Sequence, residues 1–108
     1  MRILSFIVEG QGIVKDPTCN FEHLVSGSRG YLKARFTFDK EWDGYAKVAI
    51  FKKLSLEYPA PIINGECMIP GDALDYEKFT VSVIGQKKSG QRLTTNEVEV
   101  LQQLGGGA

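Results

Sequence analysis

The segment 36–51 constrains the fold most, because it holds the only tryptophan of the chain between two strand-like runs. In residues 31–39, apolar and polar side chains alternate with a period of two, the pattern of a strand that buries one face. The same alternation returns in residues 45–53. Gly44 lies between the two runs and accepts the positive φ of a turn without steric cost. We therefore predict two consecutive strands joined by a turn at Asp43 and Gly44.

Short strand-like runs separated by turn residues fill the rest of the chain. We predict a strand at residues 2–9 with a short continuation at 11–15 after a glycine break, and further strands at 79–85, 92–95 and 97–101. Asn64 and Gly65, between the apolar runs 62–63 and 66–69, predict a hairpin. The prolines of residues 54–61 lack a backbone donor, so this segment suits the edge of a sheet.

Helix is nearly absent from the pattern, since only residues 73–78 could form one helical or 3₁₀ turn. About seven to eight short strands, with turn signals every 8–12 residues or so, are typical of an antiparallel β-sandwich. We therefore predict an all-β antiparallel sandwich. It would form a single domain over residues 1–104, followed by a flexible glycine-rich tail at 105–108, because consecutive glycines cost too much backbone entropy to order without partners.

The balance of charged residues limits the kinds of partner that the chain is expected to bind. The 108 residues carry 13 Lys plus Arg and 13 Asp plus Glu, so the formal net charge is zero. Nucleic-acid binders usually show a basic excess, and membrane-surface binders a basic amphipathic helix. Neither feature is present in the sequence, so we expect no nucleic-acid partner and no membrane partner.

A catalytic centre is hard to assemble from the reactive residues. His23 is the only histidine, and Ser26 and Ser28 follow it without the spacing of a nucleophile elbow. We interpret His23 as a solvated loop residue. Cys19 and Cys67 are too far apart in sequence for a clustered metal site, and we predict two reduced thiols.

The carboxylates around the tryptophan invite a calcium interpretation. Asp39, Glu41 and Asp43 alternate, but Trp42 interrupts them and no ligand-rich continuation follows Gly44. We interpret them as polar turn residues. The sequence therefore predicts no enzyme activity, no cofactor and no metal.

Three aromatic residues are candidates for an interface or for stacking on a glycan: Trp42, Tyr45 and Tyr58. For Trp42 the stronger interpretation is a plug at one end of the sandwich core, because the flanking strands need a large inward residue.

The order of motifs along the chain resembles a known group. Residues 31–38, 42–44, 47–51, 65–70, 79–85 and 92–96 resemble, in this order, small structural proteins and N-terminal domains of phages and prophages of Gram-positive bacteria. The similarity covers about residues 3–101.

The resemblance implies a virion structural protein with an immunoglobulin-like sandwich: a head-fibre, tail or baseplate component that anchors or decorates the particle. It implies contacts with other virion proteins, homo-oligomers with trimers expected by analogy, and a virion location after synthesis in the host cytoplasm. The contact surface would be a sheet face, an unpaired edge strand or the loops at one end. Two alternatives are a carbohydrate-binding module for the host cell wall and a small phage-encoded inhibitor of a host protein.

Overall fold

Strands make up nearly all of the regular structure. The computed structural model describes residues 1–105. Its strands are β1 (Arg2–Glu9), β2 (Gly12–Lys15), β3 (Leu32–Phe38), β4 (Ala46–Lys53), β5 (Leu56–Pro61), β6 (Glu66–Met68), β7 (Lys78–Gln86), β8 (Arg92–Thr94) and β9 (Val98–Leu101). Two 3₁₀ turns, Lys40–Trp42 and Gly71–Ala73, are the only helical elements in this part of the chain. The predicted all-β class is confirmed.

Two sheets enclose the core. The first sheet has the order β2-β1-β3-β6, and the second has the order β5-β4-β7-β8 with β9 also paired to β7. Alternate side chains of both sheets point inward and lose nearly all contact with solvent, among them Leu4, Phe6, Val8, Leu32, Ala34, Phe36, Ala49, Phe51, Phe79, Val81, Val83 and Val100. This arrangement is consistent with the predicted β-sandwich.

The two strands that flank the tryptophan segment form as predicted but do not pair. β3 belongs to the first sheet and β4 to the second. Between them, the 3₁₀ turn Lys40–Trp42 carries the chain across one end of the sandwich. Gly44 takes a φ of +83°, as its turn position requires.

One strand pair departs from the predicted antiparallel pattern, because β1 and β3 run parallel. Parallel neighbours need a return connection. β2 brings the chain back antiparallel to β1, and residues 16–31 then lead from β2 to the start of β3. The Arg2 guanidinium holds this connection by donating hydrogen bonds to the backbone carbonyls of Asn20 at 3.0 Å and Glu22 at 2.6 Å. Residues 11–15, predicted as a continuation of the first strand, turn back at Gly10 to form a hairpin with it.

Residues 1–105 contain nine strands, where about seven to eight are predicted. The predicted strands 92–95 and 97–101 correspond to β8 and β9, which are two parts of one interrupted edge. β8 and β9 both pair along the same side of β7. Between them, the Thr95 N–H donates to the Val83 carbonyl at 3.0 Å, and the Val83 N–H donates to Thr95 Oγ1 at 2.9 Å. A side chain thus replaces one backbone partner at the break.

The tight turn at Asn64 and Gly65 forms, but the hairpin predicted around it is limited to one residue pair. Both residues have positive φ, 53° and 77°, and Ile63 and Glu66 exchange backbone hydrogen bonds of 2.9 and 3.1 Å. The turn leads from the second sheet into the first, so its two arms diverge after one residue pair. The edge position predicted for residues 54–61 is also confirmed, since β5 is the outermost strand of its sheet.

The predicted tail falls almost wholly outside the described residues. Gly105, its first residue, donates its N–H to Ser26 Oγ at 2.8 Å. Residues 106–108 lie beyond the part of the chain that the structure describes.

Candidate functional site

The Trp42 side chain is a core residue and offers no face to a partner. It is 0% exposed, and its indole N–H donates to the Gly10 carbonyl at 2.8 Å. The ring packs between Phe38 and Tyr45, with centroid distances of 5.4 and 5.8 Å. An interface or glycan-stacking role for Trp42 would require its ring to leave the core to meet a ligand.

The carboxylates around Trp42 hold the backbone in place. Asp39 Oδ2 accepts from the Gly10 N–H at 2.8 Å, and Asp39 Oδ1 accepts from the Glu41 N–H at 3.2 Å. These bonds tie the first hairpin to the 3₁₀ turn that presents Trp42. Within residues 1–105, no group of three or more His, Cys, Asp or Glu side chains is arranged to hold a metal ion.

Gly85 completes this region, which we name the Trp42 corner: Gly10, Asp39, Trp42, Tyr45 and Gly85. A Cβ atom on Gly85 would lie 2.8 Å from Trp42 Cζ3 and 3.0 Å from Tyr45 Cδ1. Such distances are shorter than van der Waals contact, so the corner closes only because β7 has no side chain there.

Tyr45 and Tyr58 are half-buried, and each has an ammonium group beside its ring. Lys87 Nζ lies 4.6 Å from the Tyr45 ring centroid, and Lys53 Nζ lies 5.9 Å from that of Tyr58. Lys53 also forms an ion pair with Asp75 at 2.6 Å. The hydrogen bond that the Lys53 ammonium donates to the Asp75 carboxylate raises the pKa of Lys53 and lowers the pKa of Asp75. A sugar could stack on either ring only by displacing these lysines.

Tyr45 also lines a cleft of about 400 Å³ at the same end of the sandwich. Phe38, Val48 and Ile63 are among its apolar walls. Lys47 is its only charged lining residue; its ammonium donates to the Tyr45 carbonyl at 3.1 Å and lies 5.1 Å from the Phe38 ring centroid.

The outer face of the second sheet carries the largest unexpected feature. Its outward side chains form a continuous apolar group over three strands, which we name the apolar face: Ala46, Val48, Ile50, Pro59, Pro61 and Ile84. Val48 pairs with both Pro61 and Ile84, and Ile50 pairs with Pro59, so these side chains are direct cross-strand neighbours. None of them is fully buried by the chain itself. An antiparallel sheet that meets only water usually alternates apolar and polar side chains, so this face is a candidate contact surface.

Two of the outer strands, β5 and β6, offer little backbone for strand addition. The Ile62 N–H, which follows β5, donates to the Lys47 carbonyl. In an antiparallel pair only every second residue forms backbone hydrogen bonds with the neighbouring strand, so the N–H and carbonyl positions of Glu57, Pro59 and Pro61 point away from β4. Two of these three positions are prolines without an N–H. At the edge of the first sheet, β6 is only three residues long, and the N–H and carbonyl of Glu66 are already bonded to Ile63.

Asn96 closes the opposite side, where β2 and β9 are adjacent. Its backbone N–H donates to the Gln11 carbonyl at 3.0 Å, and its Oδ1 accepts from the Ile13 N–H at 2.8 Å. One side chain thereby joins the edges of the two sheets. Of the three predicted kinds of contact surface, the sheet face is the one best presented to a partner.

The remaining reactive residues are dispersed. The His23 side chain is 82% exposed, 3.9 Å from Glu22, as expected for a solvated loop histidine. Ser28 and His23 line a shallow depression of about 180 Å³ with Arg2 and Tyr31. Both cysteines are free thiols, and burial raises the pKa of Cys67 to about 12.

Comparison with known proteins finds no matching family model, no match among curated proteins and none among solved structures. Among the described residues, no helix has the length and apolar character needed to cross a membrane.

Sequence reasoning missed the apolar face although its signal was available. Residues 46–51 alternate two sets of side chains, and both sets are mainly apolar: Ala46, Val48 and Ile50 against Lys47, Ala49 and Phe51. A strand of an antiparallel sandwich needs only one apolar set for the core. The second set marks a face that something else is expected to cover.

Proposed function

We propose that this chain is a non-enzymatic structural protein or domain of a bacteriophage virion that anchors or decorates the particle through protein–protein contacts. The observation that carries the proposal is the apolar face, because Val48, Ile50 and Ile84 remain only half-buried on a rigid sheet. Its apolar centre with a polar surround has the composition of a protein contact surface. The blocked edges of β5 and β6 favour binding at this face over strand addition at those two strands.

The resemblance of residues 3–101 to phage structural proteins supports the virion assignment. It makes the chain a head-fibre, tail or baseplate component with an immunoglobulin-like sandwich. Two sheets of four and five strands over about 100 residues agree in size with such a domain. A net charge of zero suits dense packing, since many like-charged copies would repel one another.

The proposed partners are other virion proteins and further copies of this chain, with no role for nucleic acid or membrane. The proposed location is the virion, after synthesis in the host cytoplasm. Recognition of a wall glycan has less support, because Trp42 is buried and the rings of Tyr45 and Tyr58 lie beside lysines.

Particle co-sedimentation tests this function. Phage particles released from the strain that encodes the chain are banded on a density gradient, and each fraction is probed with an antibody raised against the chain. We expect the chain to band with intact particles at a constant ratio to the major capsid protein. Recovery of the chain solely in the soluble fractions would contradict a virion role.

Substitutions at the apolar face refine the same experiment. Ile50→Lys should lower the amount of chain on particles, whereas Thr37→Lys, on the exposed outer side of β3, should not. Equal incorporation of both variants would remove the apolar face as the attachment surface.

A further inference from the structure

The strand registers place the outward side chains of the second sheet in rows. Pro61, Val48, Ile84 and Thr94 form one row, and Pro59, Ile50 and Ser82 form the next. On one side of these two rows lie Ala46, Gln86 and Arg92; on the other side lie Glu57, Lys52, Thr80 and Glu99. None of these seven central residues is charged. Glu97, beside Ser82 on the same face, forms an ion pair with Lys52 at 3.5 Å.

We propose that this face binds the same face of a second copy of the chain, through a two-fold axis that lies in the plane of the sheet and crosses the strands between the two central rows. The axis places the row that contains Val48 over the row that contains Ile50 of the second copy, and the Ile50 row of the first copy over the Val48 row of the second. Aliphatic side chains then cover aliphatic side chains on both sides, as in face-to-face packing of sheets. The inference rests on the proposed function, because it names a partner for the same surface.

The charges that flank the central rows fit this symmetry. Arg92 on β8 and Glu99 on β9 both lie beside β7, one row outside the centre in opposite directions. The two-fold axis therefore brings Arg92 of each copy over Glu99 of the other, so the pair forms twice. Within residues 1–105, Arg92 forms no salt bridge, and the only one of Glu99 is with Lys78 at 3.9 Å.

The available area sets the expected strength. The second sheet is four strands wide, because β8 and β9 lie in line beside β7. With strands spaced about 4.8 Å apart and about 20 Å long, its face covers on the order of 400 Å² per copy in projection. A stable complex typically buries about 800 Å² per partner. We therefore expect a reversible two-fold contact that is weak in dilute solution and fills at the high local concentration of an assembled particle. This differs from the trimer expected by analogy with fibres.

Sedimentation velocity of the purified chain over a hundredfold concentration range tests the proposal. The mass should rise from 12.0 kDa toward twice that value. Ile50→Lys should hold the chain at the monomer mass, and the matched variant Thr37→Lys should behave as the wild type. A wild-type chain that is monomeric throughout, or a dimer unaffected by Ile50→Lys, would overturn the proposal.

A charge exchange tests the orientation. Arg92→Glu and Glu99→Arg should each raise the dimer dissociation constant about tenfold or more, and the double variant should restore the wild-type value. Both residues are exposed, so the variants should fold, which circular dichroism verifies. Failure of the double variant to restore the dimer would overturn the two-fold arrangement.

The dimer measurement and the particle experiment can fail independently of each other. A chain that is monomeric at every concentration but bands with particles, and is lost from them with Ile50→Lys, would show that the face binds a different virion protein. Self-association would then be overturned while the virion function stands. A dimer with no particle association would give the reverse result.

Discussion

The Trp42 corner joins the two sheets at one end of the sandwich, whereas the apolar face lies on the outer side of the second sheet. The two regions differ in whether their polar and apolar groups find partners within the chain. At the corner, the indole N–H and both oxygens of Asp39 have partners, and Gly85 leaves space for the ring. On the apolar face, Val48, Ile50 and Ile84 have only their cross-strand neighbours and remain half exposed. We therefore expect the corner to contribute to the stability of the fold and the face to contribute to the proposed contact. Changes at the corner should lower stability, and changes on the face should alter association.

Removal of the tryptophan should give the largest effect on stability. Trp42→Ala deletes a fully buried ring and leaves the Gly10 carbonyl without its donor. We expect a loss of about 3–5 kcal/mol in the free energy of unfolding, measured by denaturant titration. Ile50→Thr on the apolar face is the control and should change stability by about 0.5 kcal/mol or less. A similar loss for both variants would abolish the distinction between the two regions.

Overpacking the Trp42 corner should lower the free energy of unfolding by less than removal of the tryptophan does. Gly85→Ala places a Cβ against the rings of Trp42 and Tyr45, so we expect a loss of about 1–3 kcal/mol. Gly12→Ala is the matched control within a strand, because its Cβ would meet only the Glu9 carbonyl oxygen at an ordinary 3.5 Å. Chemical denaturation of the two variants side by side measures the difference. Equal stability of the two would mean that the corner tolerates displacement of Trp42.

Removal of the Asn96 side-chain amide should lower the free energy of unfolding by about 1–2 kcal/mol. Asn96→Ala removes the acceptor of the Ile13 N–H, a backbone group at the edge of the first sheet. Asn96→Asp keeps that acceptor and should recover most of the stability. If thermal unfolding finds the two variants equally destabilised, the side-chain oxygen is not what joins the sheets.

The interior also predicts a pH dependence. The Cys67 thiol stays neutral in the fold up to a pKa of about 12, while the unfolded thiol ionises from its ordinary value of 9.0. The unfolded state thus releases a proton first, so stability present below pH 9 is lost as the pH rises from 9 toward 12. Relative to Cys67→Ala, the wild type should lose about 1.4 kcal/mol per pH unit in this range. Parallel pH profiles for the two proteins would show that the thiol is not held neutral.

Local signals predicted most of the elements of this fold. The strand at residues 2–9, the Asn64–Gly65 turn and the proline edge of β5 follow from side-chain alternation, positive φ and a missing donor. The partners of each strand do not follow from these signals. A turn at Gly44 is equally compatible with a hairpin and with a crossing between sheets. The Arg2 contacts that hold the connection before β3 join residues distant in sequence.

The candidate site was less predictable for a related reason. Trp42, Tyr45 and Tyr58 stand out by residue type, but their exposure depends on which neighbours pack against them. Val48, Ile50 and Ile84 are ordinary strand residues, and only the register that places them side by side makes them a surface. Composition therefore directs attention to the aromatic residues, whereas topology identifies the aliphatic face.

Hydroxyl-radical footprinting of the purified chain, at the two ends of a hundredfold concentration range, shows whether a second copy covers the apolar face. We expect Val48, Ile50 and Ile84 to become protected as concentration rises, while Ile3, Ile7 and Val14 on the outer side of the first sheet keep their reactivity. Protection of the first sheet instead, or unchanged reactivity of both, would contradict the assignment of the apolar face as the self-contact surface.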